Sequence, residues 1–356
     1  MFQFKNLFRV KPGSFLFPWI LSKNIKNYIP LINTSAFLTP LPLYNFATQR
    51  PKEKLVPSRI PSFKNYGLSE DILATLESEQ ISTPTPIQDM VITEFMKSNK
   101  HIVFAAQTGT GKTLAYVIPL VQKLKQEEMI AKTILTQPNR PRAIIFVPNK
   151  ELVLQTLDVI KSFCHTVKLK AGALSGADPY TREKNMLNEG VDILVTTPDK
   201  FDKHYGKKNV FLSQMKYLVV DEMDTFLDAG YGEVINGYMQ TGIKLATHPR
   251  MIFLSSTFTD KMRRLITVNF GKENQACKIL IDNNLHYNLA NLEHEFLHLQ
   301  TLDKKEPLLK ILKEYETYMK KTKSSTIIFC NTVPSCQSLE YFLKENGNSF
   351  ICQITN

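Results

Sequence analysis

Residues Ala106, Gln107, Thr108, Gly109, Thr110, Gly111, Lys112 and Thr113 form the strongest chemical signal in the 356-residue sequence. They follow an apolar run and open an amphipathic one, so the segment reads as strand, loop and helix. The two glycines let backbone N–H groups approach a polyanion closely. The next helix N-terminus turns the positive end of its dipole toward the same place. Lys112 can reach the outer phosphates of a nucleotide, and the Thr113 hydroxyl can hold Mg²⁺. The pattern is that of a phosphate-binding loop with Ala106 in place of the first glycine. Further along, Tyr217-Leu-Val-Val-Asp-Glu222 delivers a carboxylate pair to the end of a second apolar run. Asp221 suits Mg²⁺, and Glu222 suits orienting and deprotonating a water. An acidic pair after a strand is commonplace alone; paired with the loop it becomes specific.

Such groups need a frame that brings distant segments to one edge. His101–Ala105, Ala143–Val147, Val191–Val195, Tyr217–Val220 and Met251–Leu254 read as short buried strands. Lys112–Lys123 and Lys150–Phe163 carry apolar residues at three- and four-residue spacing and read as helices. This alternation predicts an α/β fold, a parallel sheet covered on both faces, with polar motifs just after the strands where open α/β sheets bind ligands. A second unit begins near Ala290. Leu308–Tyr318 and Ser338–Glu345 read as helices there, and Thr326–Cys330 as a buried strand.

The charge balance is +11, from 44 Lys and Arg against 33 acidic residues, which favours a polyanionic partner. Seven of those basic residues (Lys5, Arg9, Lys11, Lys23, Lys26, Arg50 and Lys52) lie in the first 52, which hold no acidic residue. This acid-free, hydroxyl-rich head matches what a mitochondrial presequence requires; a basic RNA-binding arm is the competing reading. The apolar run Phe15–Leu21 is broken by Pro18 and too short to span a bilayer, so no membrane insertion is expected. Cys164, Cys277, Cys330, Cys336 and Cys352 lack metal-ligand or disulfide-framework spacing.

Further motifs narrow the class. Ser82-Thr-Pro-Thr-Pro-Ile-Gln88, with Phe63 upstream, resembles the Q motif of DEAD-box RNA helicases. Asp221-Glu-Met-Asp224 resembles that family's D-E-A-D, and Ser255-Ser-Thr257 its S-A-T. Val147-Pro-Asn-Lys-Glu-Leu152, Ser175-Gly-Ala177, Thr197-Pro-Asp-Lys200 and Ile327-Ile-Phe-Cys-Asn-Thr332 resemble four more of its motifs. The resemblance implies two RecA-like lobes of the P-loop NTPase type and an RNA helicase that uses ATP and Mg²⁺. In that scheme Gln88 reads the adenine edge and Phe63 stacks near the base, while Asp224, Ser255 and Thr257 couple hydrolysis to closure. Lys150, Glu151, Gly176, Thr197 and Lys200 grip the RNA backbone, contacts that position a strand without reading its sequence.

The implied layout is a presequence-like segment over 1–52, an ATP-binding lobe over 53–280, and the start of a second lobe over 290–356. Four positions depart from the pattern. Met223 is bulkier than the usual alanine, Asp199 replaces a glycine and suits a helix cap, and Lys150 and Ala177 are milder changes. No H-R-x-G-R segment, the source of the family's arginine finger, occurs before Asn356. The second lobe is therefore expected to be incomplete in this sequence, with little RNA-stimulated turnover, and a non-hydrolysing ATP/RNA clamp or ribosome-assembly factor is the alternative function. Asp224-Thr-Phe-Leu-Asp228 is similar to mitochondrial members linked to large-ribosomal-subunit assembly. That likeness and the basic head imply the mitochondrial matrix and ribosomal assembly intermediates as partners, with nucleus or cytoplasm as the alternative location.

Overall fold

The computed structural model describes residues 7–10, 61–271, 276–282, 292–295, 297, 303–322 and 326–347. The chain divides into two compact units, Pro18–Leu285 and a second made of Met1–Phe17 with His286–Asn356. Strand β1 (Leu7–Val10) belongs to the second. The rest of the basic 1–52 segment lies outside the described residues.

The large unit enters through a 3-10 turn at Phe63–Tyr66 and helices α1 (Glu70–Ser78) and α2 (Pro86–Lys97). Strand β2 (His101–Ala105) leads through the glycine loop into α3 (Lys112–Ala131). Then follow β3 (Ala143–Phe146), α4 (Lys150–Val167), β4 (Ala171–Leu174), α5 (Tyr180–Glu189), β5 (Ile193–Thr196) and α6 (Pro198–Gly206). Next come β6 (Tyr217–Val220), α7 (Met223–Asp228), α8 (Gly232–Lys244), β7 (Arg250–Ser255), α9 (Asp260–Phe270) and β8 (Cys277–Ile281). The seven strands pair in parallel in the order β4-β5-β3-β6-β7-β2-β8.

Successive side chains of a strand face opposite ways, so each strand feeds two cores. Ile102, Phe104, Ile145, Val195, Val219 and Leu254 join the apolar layer beneath α2, α3 and α4. Val103, Ile144, Phe146, Leu194, Val220 and Phe253 join the opposite layer with Met239 and Ile266. The five strands expected from the sequence all occur. β4 and β8 are additional. β4 holds Ala-Gly-Ala-Leu, a composition poor in strand formers, and is kept in the sheet by its ladder to β5. α3 runs past its expected end and through Pro119.

In the second unit β1 pairs antiparallel with β9 (Leu292–Glu295), Leu7 opposite Glu295. Helices α10 (Lys305–Thr322) and α11 (Val333–Glu345) meet through Leu308, Leu309, Leu339 and Leu343. Thr326–Cys330 corrects the expectation of a buried strand, because no described segment forms a ladder with it. Its alternation survives without one: Ile328 and Cys330 pack on the leucine cluster, whereas Ile327 and Phe329 are 57% and 42% exposed.

Candidate functional site

The strand order decides which motifs meet. β7 lies between β2 and β6, so Ser255, Ser256 and Thr257 leave the sheet between the glycine loop and the acidic pair. The Ala106 N–H donates to the Ser255 carbonyl at 3.2 Å, tying the loop's first residue to its neighbour strand.

Gly109 and Gly111 have φ of +85° and +83°, conformations that would strain any side chain. No heavy atom lies within 4 Å of a Cβ built on Gly109, so that lip of the loop is open. The Thr110 Oγ1 donates to the Gln107 carbonyl at 2.7 Å, closing the turn internally. Lys112 is only 7% exposed; its Nζ donates to the Ala106 carbonyl at 2.9 Å and to Ser256 Oγ at 2.6 Å. Thr113 follows it in the first turn of α3.

Gln88 braces the loop from α2. Its Oε1 accepts from the Thr85 N–H at 2.9 Å, completing a capping box with the Thr85 hydroxyl, and its Nε2 donates to the Gly111 carbonyl at 3.2 Å. Thr85 Oγ1 in turn donates to the Thr110 carbonyl at 2.8 Å. A primary amide offers two N–H donors and two lone pairs, so one of each stays available for a ligand. Phe63 is buried in the main apolar layer and meets Tyr66 edge-on, while the Tyr66 hydroxyl donates to Asp89.

The acidic pair sits in a largely buried, negatively charged corner. Burial, then the neighbouring Glu222 charge, pushes the Asp221 carboxyl up to about 7 against the pull of Lys112. Tyr116, wholly buried in α3, donates its hydroxyl toward Asp221 at 3.5 Å. Glu222 stands at φ +54°, a left-handed turn that breaks β6 away from α7; burial also raises its carboxyl. Asp224 Oδ2 accepts from the Thr257 N–H at 3.0 Å and from its hydroxyl at 2.9 Å, joining the acidic motif to the segment after β7. Met223 is accommodated wholly within the apolar layer beside Phe226.

The expected RNA-contacting residues follow β3, β4 and β5, the other half of the same sheet edge. Lys150 and Glu151 open α4, exposed and paired at 3.7 Å, with Asn149 capping the helix through Leu152 N–H. Gly176, at φ +74°, donates its N–H to Glu183 at 2.9 Å, and the Lys200 side chain occupies the space a Cβ there would need. Thr197 is the N-cap residue of α6, so Asp199 is not the cap; it lies exposed in the first turn, where its charge suits the dipole.

Behind these loops Glu183 also meets His204 Nε2 at 3.1 Å, and both are buried. Sequence reading missed Ser256, Tyr116, Glu183 and His204. Ser256 alone was signalled, by standing where the S-A-T pattern has alanine.

A family model for DEAD/DEAH box helicases matches residues 85–265. The chain belongs to the DEAD/DEAH box helicase family. It is 32% identical over 299 residues to DEAD-box ATP-dependent RNA helicase 39 of Arabidopsis thaliana, covering 82% of this chain and 46% of that protein. It is 27% identical over 301 residues to the probable ATP-dependent RNA helicase DDX28 of Homo sapiens, covering 80% of this chain and 54% of that one. The chain thus spans about half the length of these DEAD-box relatives. Among solved structures, a DEAD box protein from Methanococcus jannaschii superposes with a TM-score of 0.53 at 23% identity, over 80% of this chain and 70% of that one. The yeast DEAD-box splicing factor Prp28 gives 0.52 at 22%, over 70% and 57%. Both share the fold of the helicase lobe.

Proposed function

We propose that this chain is the ATP-driven lobe of an RNA-remodelling helicase. The observation that carries the reading is the Ser255–Thr257 segment. It touches the phosphate loop through Ala106 and Lys112, and the acidic motif through Glu222 and Asp224, so one short segment joins the two motifs that would flank a nucleotide's phosphates.

The residues fit the nucleotide and its cation. The glycine cradle is open at Gly109, a lysine ammonium lies at its base, and a helix N-terminus faces it. Thr113 and Asp221 offer the hard oxygen donors that Mg²⁺ takes, and buried Asp221 beside half-buried Glu222 is short of positive charge. Mg²⁺, when bound, supplies charge neutralisation at the transferring phosphate. Lys112 binds and orients the outer phosphates, and the spare donor and acceptor of Gln88 match a purine amidine edge. Glu222, with its carboxyl raised by burial, is suited to take a proton from an attacking water. Asp224 and Thr257 would pass the change at the phosphates to the strand-binding half.

RNA is the polyanion that the relatives' names and the basic surplus support, held by Lys150, Glu151, Gly176, Thr197 and Lys200. Residues 290–356 we read as the opening of a second RecA-like lobe. The acid-free basic head supports delivery to the mitochondrial matrix, and the Asp224–Asp228 run supports ribosomal assembly intermediates as the setting. Nucleotide titration tests the core of this reading. The chain should prefer ADP to GDP, lose that preference with Gln88→Ala, and bind nucleotide measurably but more weakly with Lys112→Ala. Equal affinity for ADP and GDP would refute it.

A further inference from the structure

Ser256 stands where the S-A-T pattern has alanine, and its hydroxyl meets three parts of the nucleotide site. It accepts from Lys112 Nζ at 2.6 Å, donates to Glu222 Oε2 at 3.4 Å, and lies 3.4 Å from Thr108 Oγ1. A hydroxyl has one donor and two lone pairs, so it can accept from the ammonium while donating to the carboxylate. Alanine could do neither.

We propose that Ser256 is a positioning residue that latches Lys112 inward in the nucleotide-free chain, so that an incoming polyphosphate must displace it. The inference rests on the nucleotide reading above. Two of the three ammonium protons are directed at partners within the protein, the Ala106 carbonyl and Ser256 Oγ, and the side chain is nearly inaccessible. The lysine therefore waits inside the cradle rather than in solvent. A ligand with β- and γ-phosphates must draw it off the serine, because those are the groups a phosphate-loop lysine reaches. The latch acts against nucleoside di- and triphosphates and leaves a monophosphate, which lacks those groups, unaffected. The contact orders the cradle while lowering its affinity for polyphosphates.

Calorimetric titration of the full chain with ADP, a non-hydrolysable ATP analogue and AMP tests this. Ser256→Ala and Ser256→Cys should bind ADP and the analogue about tenfold more tightly, equivalent to ~1.4 kcal/mol. AMP affinity should not move, and Ser256→Thr should behave as the parent. The gain should vanish when Lys112→Ala is combined with Ser256→Ala, a coupling that a merely structural role would not show. Unchanged affinity in Ser256→Ala would overturn the latch. So would a loss confined to the triphosphate, which would make the hydroxyl a γ-phosphate ligand, or a gain that persists without Lys112. A parent chain that binds no nucleotide at all would instead overturn the reading of the site and the latch with it.

Discussion

Replacing Gly111 by alanine perturbs the phosphate loop without removing any chemical group from it. The built Cβ would lie 2.3 Å from Gln88 Nε2 and 3.3 Å from its Cδ, at a backbone φ of +83°. The left-handed backbone alone costs about 1–2 kcal/mol with a side chain present. The amide has little room to give, since Gln88 is 2% exposed and bonded at both ends, to the Thr85 N–H and the Gly111 carbonyl. Each of those hydrogen bonds is worth about 1 kcal/mol net. The expected loss is therefore about 3–4 kcal/mol, a large share of an ordinary domain's stability. Urea denaturation of the ligand-free chain, followed by far-ultraviolet circular dichroism, measures it. In a Gln88→Ala background the clash and both bonds are already gone, so Gly111→Ala should cost only the backbone part, about 1–2 kcal/mol. A cost below ~1 kcal/mol in the parent, or the same cost in both backgrounds, would refute the account of Gln88 as the brace of the loop.

Two further outcomes follow from buried groups away from the loop. His101 is held neutral, its imidazole lowered from 6.5 to about 4 by burial and then by the Arg250 charge. As pH falls below 6.5 the unfolded chain protonates first, so this stabilisation, up to about 3 kcal/mol, is complete above pH 6.5 and disappears as pH approaches 4. The stability of the parent should fall more steeply over that window than that of His101→Gln, and parallel pH curves would contradict it. His204→Leu leaves buried Glu183 without its imidazole partner, for a loss of about 3 kcal/mol. It should also speed hydrogen exchange at the Gly176 amide that Glu183 holds. Unchanged exchange there would show that the loop does not depend on the pair.

Legibility in the sequence followed how narrowly chemistry limits the residue type. A phosphate loop needs glycine at left-handed positions, a lysine after them and a hydroxyl next, so 106–113 could be read without coordinates. So could the carboxylates of β6, carried to the strand end by four apolar residues. Tyr116, Glu183 and His204 could not, because each acts through a partner brought near only by the fold, and Ser256 showed only as a departure from the S-A-T alanine with nothing to name its partner. A serine next to a serine carries no sign that a lysine 144 positions away points at it. β4 was hidden for the opposite reason: its local composition argues against a strand, and only the ladder to β5 makes it one. Thr326–Cys330 had the composition of a strand but no described partner to pair with. Strands are decided by neighbours, and local pattern is only half of that decision.

The strand that carries the phosphate loop is made early and completed late. β2 ends at Ala105, yet its ladder partners are Ser255 of β7 and Ile281 of β8. At a synthesis rate of about 5–20 residues per second, roughly 10–35 s pass between the emergence of Ala105 and that of Ile281. Until β7 emerges His101–Ala105 is an apolar strand with both edges unpaired, and until β8 emerges one edge stays open, the kind of template on which nascent chains associate. The nucleotide site cannot guide folding during that interval, because the cradle has no fixed wall until β7 is in place. Protection of the nascent chain should therefore matter during that interval, before nucleotide can stabilise the lobe.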